Sequence, residues 1–189
     1  MQKTVTYFEK PGPENTGYCL DIVNQAIHEY DYRHIVVAST WGDTGLIFAE
    51  SLKDKNINLI IVTHSHGFKE PNSIELTEEA RRKIQAAGAT LYTGTMITHS
   101  LETSLAKKFS GVYPTLLVAQ TLRRFGEGIK VGCEMVMMAA DAGLVPEGEE
   151  VITVAGTGRG ADAVAIIRAV PSKRFLDLKV LEILAKPRG

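Results

Sequence analysis

The sequence predicts an α/β fold built on a mixed, mostly parallel sheet, and three observations predict it. Ile35 to Ala38 is a β-branched apolar run that stops at a small-residue turn, Ser39 to Thr44, before a helical apolar pattern begins at Leu46. A second continuous apolar run, Leu59 to Thr63, comes next, and a strand, a helix of about three turns and a strand make a βαβ unit whose right-handed crossover sets the two strands parallel. Further on, Val151 to Ala155 and Val164 to Val170 are strands joined through Gly156 to Gly160, a loop shorter than the roughly dozen residues a parallel return needs, so the sheet is expected to be mixed at that edge.

Thr4 to Phe8 is a short strand closed by Pro11, Gly12 and Pro13, suited to a sheet edge. Asn15 or Thr16 can cap a helix with Leu20, Ile22, Val23, Ala26 and Ile27 on one face. Leu46, Ile47, Ala49 and Leu52 form the face of the crossover helix. His64 to Pro71 is a polar loop, Leu76 to Ala87 a helix ended by Gly88, and Thr90 to Thr93 a third, shorter strand. Thr98 or Ser100 can cap a helix through Phe109, stopped by Gly111, and Pro114 opens a long helix ended by Gly126 and Gly128. Ile129 to Ala142 is apolar over most of its circumference and belongs against the sheet, and Leu178 to Leu184 alternates weakly as a last strand.

A chain of 189 residues fits one domain, 1–189, able to bury roughly 70% of its unfolded surface. Apolar residues are 44%, charged residues 23%, and 21 basic side chains face 22 acidic ones, a balance with no nucleic-acid footprint and no membrane-attracting surface. The two cysteines, Cys19 and Cys133, lie far apart in sequence, and MQKTVTYFEKPG lacks the basic and apolar regions of a signal peptide, so a reduced, cytoplasmic protein is expected. No apolar run reaches about 18 residues, so no membrane span is expected.

Ile35 to Thr63 (IVVASTWGDTGLIFAESLKDKNINLIIVT) resembles the early strand, small-residue turn, helix and strand of the carboxyl-terminal domain of pyruvate kinases. Glu149 to Val170 (EEVITVAGTGRGADAVAIIRAV) resembles that domain's closing strand, glycine-rich loop and final strand. The likeness covers Asp31 to Val170 and is nearest to small stand-alone proteins that carry this domain and little else. It implies a three-layer α/β/α sandwich with a mixed sheet, subunit contacts, and a phosphorylated effector held at the turn, where Ser39, Thr40, Gly42 and Thr44 match by position. It does not imply pyruvate kinase activity, whose apparatus lies on a barrel of about 250 residues for which this chain has no room. Trp41 departs from the small residue expected there, so the effector's identity does not carry over.

The same turn resembles the flavodoxin phosphate loop, Ser/Thr, any residue, Thr, Gly, any residue, Thr, with one position out of pattern in Ser39, Thr40, Trp41, Gly42, Asp43, Thr44. Flavin mononucleotide is the concrete candidate, its ring against Trp41 and its phosphate on the loop. The competing reading is a Ser/Thr capping box with Trp41 as a core or interface anchor. Thr63, His64, His66 and Gly67 come directly after the neighbouring strand and border the same crevice. His64 and His66 share a face on an extended segment, but no third ligand stands nearby and no metal is expected.

Gly158 to Ala163 (GRGADA) matches a GxGxxA fingerprint, yet the residues after it are β-branched and too little chain remains for a second mononucleotide half. Gly158, Arg159 and Gly160 are therefore read as an anion-approaching loop, or as a tight turn with an Arg159–Asp162 surface pair. Glu134 and Asp141 need basic partners if buried, Met135, Met137 and Met138 read as core filling, and Cys133 as a buried thiol. The expected function is binding of a phosphorylated small molecule or nucleotide. The alternatives are a flavin-dependent oxidoreductase or small phosphate-handling enzyme, and a structural subunit of a homo-oligomer assembling through a sheet edge or the helix Ile129 to Ala142. No paired carboxylates, Ser/His/Asp order or metal cluster stands out, so no catalytic residue is named from sequence.

Overall fold

The structure, a computed structural model, describes residues 3–189. Seven strands form one sheet in the order β1-β7-β6-β5-β2-β3-β4: β1 (Thr6–Phe8), β2 (His34–Ala38), β3 (Asn58–Val62), β4 (Thr90–Tyr92), β5 (Glu150–Ala155), β6 (Ala163–Arg168) and β7 (Lys179–Pro187). The βαβ reading holds, with β2 and β3 parallel and in register from His34↔Asn58 to Ala38↔Val62. So does the mixed edge: β6 runs antiparallel to both β5 and β7, while β1 pairs parallel with β7 at the rim.

Because side chains alternate along a strand, β2 sends Ile35 and Val37 to one face of the sheet and Val36 to the other. On the first face α1 (Thr16–Tyr30), α2 (Asp43–Leu52) and α3 (Glu78–Ala86) bury Cys19, Val23, Phe48, Ala49, Leu52 and Ile84. The second is covered by α6 (Glu127–Asp141), which buries Ile129, Cys133, Met135, Val136, Met138 and Ala139. Two helices, α4 (Leu101–Phe109) and α5 (Pro114–Leu122), lie outside α6, and α4 has no buried residue. Among the described residues no helix is long and apolar enough to cross a membrane.

Asn15 stands at the α1 N-cap but donates to the Lys10 and Gly12 carbonyls instead of capping, and Thr16 Oγ1 accepts from the Ala161 amide, so both residues tie the first turn to neighbouring loops. Ile47 is 44% exposed, because the crossover helix begins at Asp43 and buries Thr44, Gly45 and Phe48 instead. The third helix begins at Glu78, where Thr77 caps it by accepting from the Ala80 amide. Gly126 does end the preceding helical stretch, but Gly128 lies inside α6: a Cβ there would stand 2.5 Å from Ala163 Cβ and 3.2 Å from the Ala155 carbonyl oxygen. Glycine at 128 thus sets how closely α6 sits on the sheet. Asp141 is exposed and accepts from the Ser172 amide, with no basic partner among the described residues. The helix proposed as an oligomer surface is mostly covered, whereas Leu101, Phe109, Leu117 and Phe125 are among the exposed apolar side chains.

One topological feature positions a site. From β2 the chain moves to β3 and β4 on one side and returns through α4, α5 and α6 to β5 on the other. Strand order therefore reverses between β2 and β5, and in open α/β sheets ligands sit outside the carboxyl ends of the strands at such a point.

Candidate functional site

A cavity of about 340 Å³ opens at that reversal, between the turns after β2, β3 and β5 and the first turns of α6. This volume lies within the range of small-molecule sites, roughly 300–1,000 Å³.

The turn after β2 is held from within. Ser39 is buried, donates its amide to the Val62 carbonyl and accepts on Oγ from the Gly45 amide at 2.9 Å. Asp43 Oδ1 accepts from the Thr44 amide at 2.9 Å. Ser39 and Asp43 thereby spend their side chains on the first amides of α2, and the capping role goes to a serine outside any S-x-x-E box. Gly42 turns the chain at φ 98°, a conformation costly for other residues. Among the described residues nothing accepts from the amides of Thr40, Trp41, Gly42 and Asp43. Trp41 is half exposed on the cavity rim, with Lys69 Nζ 4.3 Å from its ring centroid.

From the β3 side, buried Thr63 shares a 2.7 Å hydrogen bond with Thr93 and donates to the His64 carbonyl. His64 Nε2 stands 3.2 Å from Thr40 Oγ1, its Nδ1 3.6 Å from Glu75 Oε2, and its ring centroid 4.4 Å from that of Phe68. Burial holds the His64 pKa below the ordinary imidazole value, with Lys69 adding to the effect and Glu75 opposing it. His66 and Gly67 are exposed and line no part of the cavity, because the segment turns: Gly67 takes φ 77° and donates to the Ser73 carbonyl at 2.7 Å. The face shared by His64 and His66 on an extended strand is therefore not formed. Among the described residues no three His, Cys, Asp or Glu side chains cluster as a metal site.

Gly156, Gly158, Arg159 and Gly160 close the third side. Arg159 Nε donates to Asp43 Oδ2 at 3.0 Å, so its partner is not Asp162. Asp162 is fully buried, and its Oδ2 accepts from the amides of Gly12 and Thr157 at 3.1 and 3.0 Å, which pins the glycine-rich loop to the amino-terminal turn. The fingerprint-like GRGADA runs into β6 and offers a dinucleotide no helix N-terminus.

Sequence reasoning missed the α6 wall. Lys130 and Glu134 have side chains 1% and 4% exposed, pair at 2.6 Å and line the cavity with His99, Met96, Val131, Met135 and Met138. Glu134 Oε1 also accepts from the Thr98 amide at 2.6 Å and Thr98 Oγ1 at 2.8 Å, and Lys130 Nζ lies 3.3 Å from His99 Nδ1. Burial works to raise the Glu134 pKa, but the Lys130 charge and these hydrogen bonds outweigh it and hold the carboxyl below its ordinary value. Burial and Lys130 lower that of His99. The legible signal was a lysine and a glutamate spaced i, i+4 in an otherwise apolar helix. Met135 and Met138, expected as core, are both core and cavity wall.

Fold and site together define a three-layer α/β/α protein with a ligand-sized crevice at the topological switch point of its sheet. The family model described as pyruvate kinase, alpha/beta domain, matches residues 19–168, and the chain belongs to that family. Among solved structures it is similar to a pyruvate kinase from Cryptosporidium parvum, at TM-score 0.44 and 16% identity over 85% of this chain and 24% of that one. It is also similar to O-ureido-L-serine synthase (TM-score 0.33, 17% identity, 75% of this chain, 51% of that one) and to a pyridoxal 5′-phosphate-dependent aspartate racemase (TM-score 0.34, 15% identity, 76% and 47%). The chain thus spans between about a quarter and a half of the length of these three chains.

Proposed function

We propose that this protein binds a small phosphorylated molecule in the crevice, its phosphate on the turn after β2. The observation that carries the reading is the set of backbone amides at Thr40, Trp41, Gly42 and Asp43, without acceptors among the described residues, at the positive end of α2. Lys69 is the cation placed to add charge, since Lys130 and Arg159 are paired with Glu134 and Asp43. Trp41 supports a ligand with a flat ring beside the phosphate, and flavin mononucleotide is the first such ligand to try, with a flavin-dependent oxidoreductase as the corresponding activity.

Trp41 is the chain's single tryptophan, so its fluorescence reports the site directly. Inorganic phosphate, a sugar phosphate, a nucleoside monophosphate and flavin mononucleotide are titrated in turn, with calorimetry beside the optical signal. Saturable binding, weakened about tenfold or more by Lys69→Ala and by Gly42→Ala, is expected, the latter because a Cβ at Gly42 would stand 2.5 Å from Ala80 Cβ and force the turn open. Absence of any saturable signal from all four at millimolar concentration would overturn the reading.

A further inference from the structure

We propose that Thr40, His64 and Glu75 form a nucleophilic relay by which the protein hydrolyses a small carboxylic ester with an apolar acyl part. Glu75 has a side chain 7% exposed, and its Oε2 and His64 Nδ1, 3.6 Å apart, are both buried atoms with no other partner among the described residues. A carboxylate on that side keeps the imidazole proton on Nδ1 and leaves the Nε2 lone pair for the Thr40 hydroxyl, 3.2 Å away. Such contacts are commonly long in ligand-free enzymes and tighten around substrate. Burial keeps His64 a neutral base at neutral pH.

The surroundings complete the apparatus. Thr40 sits on a strand-to-helix turn, and the amide of the next residue, Trp41, which lines the cavity, has no acceptor among the described residues and is the donor placed to meet an oxyanion. Behind them Met96, Val131, Met135, Met138 and Phe68 make an apolar wall for an acyl chain. A single developing negative charge is what neutral amides stabilise. A transferring phosphoryl group spreads its charge over three oxygens and needs free cations, and two of this cavity's three are already paired.

In the first step Thr40 Oγ forms a bond to the ester carbonyl carbon and its proton passes to His64 Nε2. The tetrahedral oxyanion collapses, the bond to the leaving alkoxide breaks, and His64 returns the proton to that oxygen, leaving acyl-Thr40. Water then attacks the acyl carbon, gives its proton to His64, and the carboxylic acid departs as Thr40 recovers the proton. Glu75 is a positioning residue in this scheme. The proposal does not rest on the phosphate reading, although an oxyanion and a phosphate would compete for the same amides.

The test uses the full chain with p-nitrophenyl acetate and p-nitrophenyl hexanoate, monitoring nitrophenol release and intact mass. Expected are turnover above buffer, faster on the hexanoate, and an acyl adduct that peptide mapping places on Thr40. Thr40→Val and His64→Gln lower turnover about 10²–10⁴-fold with unchanged circular dichroism, while Thr40→Ser retains it. Glu75→Gln lowers kcat more than it changes KM. Turnover undiminished in Thr40→Val, an adduct on another residue, or no turnover in either the natural chain or Thr40→Ser overturns the proposal. Should Thr40→Val fail to fold, the mapped adduct and Thr40→Ser decide. Phosphate binding without acyl-Thr40 sinks the relay alone, and acyl-Thr40 without phosphate binding or inhibition sinks the phosphate reading alone.

Discussion

Removing the charge of Glu134 while keeping its shape isolates what holds the α6 wall of the cavity. In Glu134→Gln the new carbonyl can still accept from the Thr98 amide and hydroxyl, but the Lys130 ammonium, with a side chain 1% exposed, is left beside a neutral amide and the neutral ring of His99. Breaking a buried pair in this way costs about 3–5 kcal/mol, because one charge stays buried without its counter-charge. Lys130→Met with Glu134→Gln removes both charges and keeps the Thr98 acceptor, so the double variant should recover most of the loss, to within about 1–2 kcal/mol of the parent. Urea unfolding at pH 7 by circular dichroism measures all four corners of the cycle, and burial makes the coupling insensitive to salt. The acid limb gives a second readout. Folding holds the Glu134 pKa below 4.5, so the unfolded chain binds more protons there, and the stability present above that pH is lost as pH falls through the depressed value. That slope should flatten in Glu134→Gln. A single-variant cost under about 1 kcal/mol, or additive single and double variants, would refute the account of a tightly coupled buried pair.

Three further outcomes are expected. Gly132→Ala should destabilise by about 1–3 kcal/mol although alanine favours helix, because its Cβ would stand 2.7 Å from Thr153 Oγ1; a raised melting temperature would show that α6 can lift off the sheet. Ser39→Ala should cost about 1–2 kcal/mol, a fall in Tm of roughly 2–8 °C, through loss of the acceptor for the Gly45 amide, measured by calorimetry. Burial pushes the thiols of Cys19 and Cys133 up to about 12, so both should resist a disulfide reagent in the native protein and react once it is unfolded. The same shift means that the unfolded thiols ionise first, so the contribution they make to stability declines as pH rises through 9 toward 12.

Local physics wrote much of this protein into its sequence. β-Branched runs bounded by small residues name β2, β3 and β5, loop length forces the antiparallel β6, and the abrupt change at Ala38 marks the turn that the cavity uses. Where the reading slipped, a partner distant in sequence outbid a local rule. Gly128 looks like a helix stop until Ala163 and Ala155 are seen against it, and Arg159 finds Asp43 across the crevice in preference to Asp162, three residues away.

The sequence by itself determined that β2 and β3 run parallel and that β5 and β6 do not, and it marked the turn Ser39 to Thr44 that borders the cavity, because strand period, crossover length and turn chemistry act over a few residues. Only the tertiary structure decided what faces that wall. Glu75 and His64 are separated by a turn that no periodicity marks, and His64 alone meets Thr40, from another strand's loop. Glu134 reads only as a carboxylate in need of a basic partner until the sheet covers one side of α6, Lys130 pairs with it and the cavity opens on the other side. Contacts of this kind are set by how whole elements pack, and the free energy that places them is shared among residues far apart along the chain.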